Sequence, residues 1–196
     1  MDDAVIAAIA KWPNVPAVYG WLGLTARGEW RLRGERIVKP AICDFIGRNY
    51  ASDERGCWHF QNGPQRVFVA LEATPLVYRL DEAGRLQAHT GAHPRELRGA
   101  YADAHGHLIL ATELGPGLVD SRDTGKFAER LVDGQGGVLD EQGLERWLAD
   151  DGAAFLETRG LLVRHDGPSV AVERIGSKHW ADVFGFVARP GGGEVS

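Results

Sequence analysis

Hydrophobic and polar positions alternate along much of this chain with a period of two, the pattern of strands that bury one face. In "YGWLGLTARGEWRLRGERI", Trp21, Trp30 and Leu32 alternate with small or charged residues and Gly28 supplies a turn, which predicts a hairpin. In "GCWHFQNGPQRVFVALEATPLVYRL", Trp58 and Phe60 point one way and Cys57, His59 and Gln61 the other, with "NGPQ" as a turn. Val67, Val69 and Leu71 then alternate with Phe68 and Ala70, so both sides of that strand are apolar and it reads as a central strand covered on both faces. Pro75 interrupts the chain before "LVYRL". "YRLDEAGRLQAHT" and "RGAYADAHGHLILATEL" are two further hairpins, "AFLETRGLLVRHDGPSVAVERI" holds two or three more strands, and "FGFVARP" reads as a closing strand.

A period near 3.6 appears in four places. Residues 4–12 predict a short amphipathic helix, with Asp2 and Asp3 at its positive end and Pro13 and Pro16 beyond it. In "KPAICDFIGRNY", Pro40 suits the first helical position, Ile42, Phe45 and Ile46 make one apolar face, and Gly47 marks the end. "SRDTGKFAERLV" is a third helix, followed by a flexible joint at "DGQGG". Asp140 caps a fourth, "EQGLERWLADD", with Leu144, Trp147 and Leu148 facing inward. About nine strands and four short helices, with the strands in antiparallel hairpins forming one or two curved sheets, make an α+β fold. A boundary near residues 90–96 divides the chain into an N-terminal half, 1–92, and a C-terminal half, 93–190, with 191–196 expected to be a disordered tail.

Three hairpin tips share one pattern: Thr25–Trp30, Asp81–Leu86 and Asp103–Leu108 each read small polar residue, two free positions, Gly, one free position, large apolar residue. His165-Asp166-Gly167 is a looser fourth case. The first side chain can accept turn N–H groups, Gly takes a positive φ, and the apolar residue starts the return strand on the core face. The closeness of Asp103 to His105 and His107 is thereby explained as turn construction.

Composition narrows the classes. The 196 residues are 44% hydrophobic and 25% charged, enough for a real core in one large or two small domains. The net charge is -5 and the 22 basic residues form no run, which argues against a nucleic-acid partner. No apolar stretch is long enough to span a membrane, and the acids before the first helix argue against a signal peptide. Two cysteines, Cys43 and Cys57, make neither a disulfide framework nor a four-thiolate zinc site, so both are expected reduced, in the cytoplasm.

No coherent catalytic set emerges. The serines lie outside GxSxG and SxxK patterns. Asp120 stands where a phosphate-binding loop needs its first Gly, and the pairs Asp53-Glu54 and Asp150-Asp151 read as solvated charges. Cys57 and His59 share a strand face, so a thiol–imidazole pair is conceivable, but nothing specifies an orienting third residue and His59 reads as a polar surface group. His89, His93, His105 and His107 are the candidate metal ligands; Gly91 and Pro94 keep the first two off a common helical face, so no metal or other cofactor is assigned. The densest mixture of flat apolar and hydrogen-bonding groups is "GRNYASDERGCWHFQNGPQR", whose candidate binding residues are Tyr50, Trp58, His59, Gln61, Asn62 and Arg66.

The order "GWLGLTARGEWRLRGERI…NGPQRVFVALEATPLVYRL" with the ending "FGFVARP" resembles, over most of the chain, an uncharacterised proteobacterial family known as a domain of unknown function. Its start also resembles a second such family. The resemblance implies a bacterial cytoplasmic protein and supplies no substrate, cofactor or catalytic residue. The resulting expectation is a non-catalytic domain that binds a small molecule or a protein, with self-association open and no membrane partner. The alternative is a small metal-assisted or hydrolase-like enzyme using the histidines from His89 to His107.

Overall fold

The structure, a computed structural model, describes residues 1–103, 105–133, 137–138, 140, 142–143, 162–163, 168–175 and 180–191. They form two compact units, each holding one sheet. The first unit comprises Met1–Leu76, residues 89–92 and the described residues from 180 onward; the second comprises Val77–Ala88 and the described residues from 93 to 175. The fold is α+β.

In the first unit, α1 (Asp3–Lys11) precedes β1 (Val18–Leu24), β2 (Trp30–Leu32), β3 (Glu35–Arg36), α2 (Pro40–Arg48), β4 (Tyr50–Ser52), β5 (Trp58–Asn62) and β6 (Gln65–Leu71). The sheet order is β3-β2-β1-β6-β5-β4. Its hairpins are antiparallel, but β1 and β6 lie parallel, with Leu22 opposite Val69 and Leu24 opposite Leu71. Residues of like parity therefore share a face, and one face buries Leu22, Leu24, Trp30, Trp58, Phe60, Val67, Val69 and Leu71. Phe45 of α2 meets Phe60 edge-on at 5.5 Å. The start of α1 is latched by Asn49, whose Oδ1 accepts the Asp2 N–H at 2.8 Å and whose Nδ2 donates to the Phe45 carbonyl at 3.0 Å. Gly47 lies inside α2 rather than at its end, since the helix runs on to Arg48. Its role is close packing: a Cβ there would lie 2.9 Å from the Thr90 carbonyl oxygen.

The second unit runs β7 (Leu76–Leu80), which carries the chain across from the first, β8 (Leu86–Ala88), β9 (Leu97–Ala102), β10 (Leu108–Thr112), β11 (Gly115–Val119), a 3-10 turn at Ser121–Asp123, α3 (Thr124–Ala128), β12 (Leu131–Val132), β13 (Leu162–Val163) and β14 (Val170–Arg174). The order is β12-β13-β14-β9-β10-β11-β7-β8, with β14 parallel to β9. Val77, Tyr78, Ile109, Leu110 and Val172 are buried at its centre. Tyr78 shares a 2.6 Å hydrogen bond with Thr112 and donates at 2.9 Å to the Gly115 carbonyl, and burial raises its pKa.

Several expectations need correction. More strands form than the nine expected, because two- and three-residue pieces such as β3 and β12 are too short to show a period. "SRDTGKFAERLV" is not one helix. The buried Asp120 side chain accepts the Arg122 N–H at 3.0 Å to open a 3-10 turn, α3 stops at Ala128, and Leu131 and Val132 are already strand. "FGFVARP" is not a strand. Its first residue ends α4 (Trp180–Phe184), Gly185 turns the chain at φ 67°, and the segment beyond pairs through one bridge from Val187 to Cys57 and a bond from the Leu71 N–H to the Ala188 carbonyl. The helix capped by Asp140 is described only at its start, where Asp140 Oδ1 accepts the Gly143 N–H at 2.7 Å. Leu144, Trp147, Leu148, the fourth tip at 165–167 and the tail at 192–196 lie outside the described residues. Among the described residues no helix is long and apolar enough to cross a membrane.

The repeated tip closes in one way throughout. The N–H of the fourth residue donates to the first residue's carbonyl, and that of the fifth donates to the first residue's side chain. The Thr25 hydroxyl accepts from Glu29 at 3.0 Å, Asp81 from Arg85 at 2.8 Å and Asp103 from His107 at 2.9 Å. Asp53 accepts from Cys57 at 2.9 Å, so Asp53-Glu54-Arg55-Gly56-Cys57-Trp58 is a further member and Asp53 is no loosely solvated charge. Gly28, Gly56, Gly84 and Gly106 hold φ between 75° and 78° in these turns. The ends of "DGQGG" close likewise, with Asp133 Oδ1 accepting the Gly137 N–H at 2.8 Å, so its ends are tied. Asp103→Ala is expected to cost about 1–2 kcal/mol, as is Asp81→Ala, since each strands two turn N–H groups. Urea unfolding measures it, and an unchanged midpoint for Asp103→Ala would remove the turn role.

Candidate functional site

Cross-strand pairing places His59 opposite Phe68 and Ala51, and Gln61 opposite Arg66, all on the face of the first sheet away from Trp58 and Phe60. His59 is 5% exposed, not the surface group its parity suggested. Its ring packs on Phe68 at 5.6 Å, and Tyr19 from β1 stacks flat on the same Phe68 at 4.7 Å and 5°. The neighbour that buries this row is β1, delivered by the parallel pairing.

His59 lies at a cavity of about 520 Å³ lined with it by Ser52, Asp53, Glu54, Arg55 and Arg66. Its buried Nδ1 has no hydrogen-bond partner among the described residues. Burial, and then the Arg66 guanidinium, lower its pKa below the ordinary histidine range. Arg66 is exposed and makes no ion pair among the described residues. Arg55 is paired with Asp53 at 3.2 Å. The turn N–H groups and Arg55 hold the Asp53 carboxyl below its usual range despite partial burial. Among the described residues the cavity thus offers Arg66 without an ion pair, Arg55 tethered to Asp53, the carboxylate of Glu54 and a neutral imidazole. The same imidazole shares its face with Cys57, but burial and the Asp53 charge push that thiol's pKa up, the wrong direction for a nucleophile.

The other candidate binding residues separate. Tyr50 and Trp58 lie on the core face with ring centres 4.9 Å apart, and the buried Tyr50 hydroxyl donates to the Pro75 carbonyl at 3.1 Å. Gln61 is buried, its amide donating to the Gly63 carbonyl at 2.9 Å. Asn62 is exposed at the turn, on the Trp58 side by parity. Of the six, His59 and Arg66 line the cavity. Asp53, Arg55 and Tyr19 were missed, although the Asp-x-x-Gly-x-apolar pattern marks Asp53.

The four histidines singled out as metal ligands have separate local roles. His89 sits in an aromatic cage, 5.1 Å from Trp30 and 5.9 Å from Tyr50 between ring centres, and burial lowers its pKa to about 3. His93 Nδ1 lies 3.0 Å from the Leu86 carbonyl oxygen. His107 Nδ1 meets Asp103 Oδ2 at 2.8 Å, the part Arg85 takes toward Asp81. His105 lies edge-on to His107 at 6.1 Å. Among the described residues no three metal-ligating side chains converge.

No match was found among curated protein sequences. Among solved structures, a DUF1285 family protein from Silicibacter pomeroyi DSS-3 is similar, with a TM-score of 0.53 at 12% identity over 87% of this chain and 95% of that one. A DUF1285 family protein from Shewanella baltica OS155 has a TM-score of 0.42 at 14% identity, covering 55% of this chain and 89% of that one. At 12% identity the likeness to the first concerns the fold alone. A family model described as "Protein of unknown function (DUF2946)" matches residues 1–191, and the chain belongs to that family.

Proposed function

We propose that this is a non-catalytic binding domain whose site is the cavity over His59, and that it takes a small oxyanion. The observation that carries this is the cavity that His59 and Arg66 line together, with Arg66 exposed and in no ion pair among the described residues. An oxyanion in the cavity would accept charge-assisted hydrogen bonds from the Arg66 guanidinium beside the imidazole. The free cysteines Cys43 and Cys57 are in keeping with a reducing cytoplasm.

The test is nuclear magnetic resonance of the imidazole nitrogens during titration with inorganic phosphate. The His59 signals are expected to shift saturably, and His59→Phe, which keeps a ring against Phe68, to abolish the response. Arg66→Ala is expected to weaken binding about tenfold, the value of a charge-assisted hydrogen bond. A bound anion raises the histidine pKa, so affinity should increase as pH falls through the bound-state value, with sulfate titrated in parallel because phosphate itself changes protonation near neutral pH. Of the groups facing the ring, the Asp53 carboxyl is held below its usual range, and the Arg55 guanidinium and Cys57 thiol above theirs, so none of these three changes charge there; Glu54 and Arg66 are the other charged groups of the lining. No saturable shift at His59, or binding that does not change with pH, would sink the proposal.

A further inference from the structure

Arg31, Arg33 and Arg36 fall within one hairpin, whereas Arg55, Arg66 and Arg189 are far from them in sequence. The register of the first sheet gathers several on one face. Arg36 lies opposite Arg31, Arg31 opposite Gly23, and Gly23 opposite Ala70, so these four form a row across the sheet. Ala70 shares its side of β6 with Phe68 and Arg66.

Two depressions open on this face. One is the cavity over His59. The other, of about 460 Å³, has Arg31 and Arg189 in its lining together with the small residues Gly23 and Ala70. Arg66 lines the first and Ala70 the second, four positions apart on β6, or about 13 Å. Between them stand the stacked Tyr19 and Phe68. Next along β1, Trp21 is 47% exposed with the Arg33 guanidinium 4.0 Å from its ring centre. Of the nearby acids, Glu29 pairs with Arg36 and Asp53 with Arg55, while Glu54 lines the first depression and Glu72, which accepts the Ala26 N–H, lines the second.

Two arginine-lined depressions on either side of an aromatic ridge suit an anion that recurs along a chain with flat groups between. A lone phosphate would fill one depression and leave the ridge unused. An acidic peptide brings charge without the flat groups. We propose that this face binds single-stranded nucleic acid, with phosphates at Arg55–Arg66 and at Arg31–Arg189 and a base stacked beside Trp21. This inference rests on the anion-binding reading of the His59 cavity and extends it.

The test is fluorescence anisotropy of a labelled oligouridylate titrated with the full chain at low salt. Binding is expected to weaken with salt, with a log–log slope of about 1.4 to 2.8 for two to four phosphates. Trp21→Ala should weaken it by about five- to hundredfold, the range for loss of one stacked base. The Arg31→Ala, Arg189→Ala double variant should weaken it about tenfold or more, while leaving the His59 response to inorganic phosphate intact. The side chains of Trp21, Arg31 and Arg189 are exposed, so these variants should fold, as circular dichroism would verify. If phosphate still shifts His59 but the oligonucleotide does not bind, the nucleic-acid inference is overturned and the anion site stands. If neither binds, both fall. Oligonucleotide binding that ignores Trp21→Ala and the arginine double variant, or a duplex that binds equally well, would also overturn it.

Discussion

Replacing Gly56 with alanine is expected to cost the first unit about 2–6 kcal/mol, enough to unfold much of the population of a marginally stable domain. Two effects add. Gly56 holds φ 75°, a left-handed conformation that a side chain disfavours. A Cβ there would also stand 2.1 Å from the Gly185 carbonyl oxygen and 3.1 Å from Phe186 Cα, so backbone rather than a flexible side chain would have to move. Gly91→Ala is the control: in the same unit it holds φ 85°, with open space where its Cβ would go. Urea unfolding of both variants separates conformational strain, common to the two, from the close approach, present at Gly56. Equal losses would mean that the approach of the 185–188 segment contributes nothing.

Acid should weaken the protein well before its carboxylates protonate. His89 titrates near 3 in the folded chain against an ordinary value of 6.5, because its aromatic cage excludes water from the charged form. Its folded pKa is depressed, so below about 6.5 the unfolded chain binds the extra proton, and stability falls by about 1.4 kcal/mol per pH unit until the folded value is reached. Between pH 6.5 and 5 the loss is about 2 kcal/mol. His59 is shifted in the same direction and adds to it. The lowered carboxyls of Asp53, Asp103, Asp120 and Asp123 act lower down, where stability present above about 3.8 is lost as pH falls. His89→Phe retains a flat ring between Trp30 and Tyr50 and should flatten the upper part of this curve. Urea midpoints at a series of pH values measure the slope, and identical slopes for the two proteins would exclude His89 as the cause.

What could be read in the sequence is what depends on near neighbours. The turns at Thr25, Asp81 and Asp103 form as their spacing required, because each is closed by bonds among five consecutive residues. The same pattern at Asp53 was legible too, but beside Glu54 it reads first as a pair of charges. Strand parity correctly put His59 and Gln61 opposite to Trp58. What parity could not show is that His59 would be buried, because the ring above Phe68 comes from Tyr19 on a strand paired in parallel across the chain. His89 is a similar case: its cage is made by Trp30 and Tyr50, and nothing in "LQAHTGAHP" announces either. The cationic face is legible only in part: Arg31, Arg33 and Arg36 are close in sequence, but register and the 185–189 segment bring Arg66 and Arg189 to the same side.

The bond from Leu71 to the Ala188 carbonyl and the bridge from Cys57 to Val187 also set an order of events during synthesis. The last partner of β5 and β6 is translated only after the entire second unit. At ordinary elongation rates the intervening hundred or so residues take on the order of ten seconds. For that interval the nascent first unit presents backbone groups at Cys57 and Leu71 that only its own last stretch will cover, so it emerges from the ribosome as an unfinished domain.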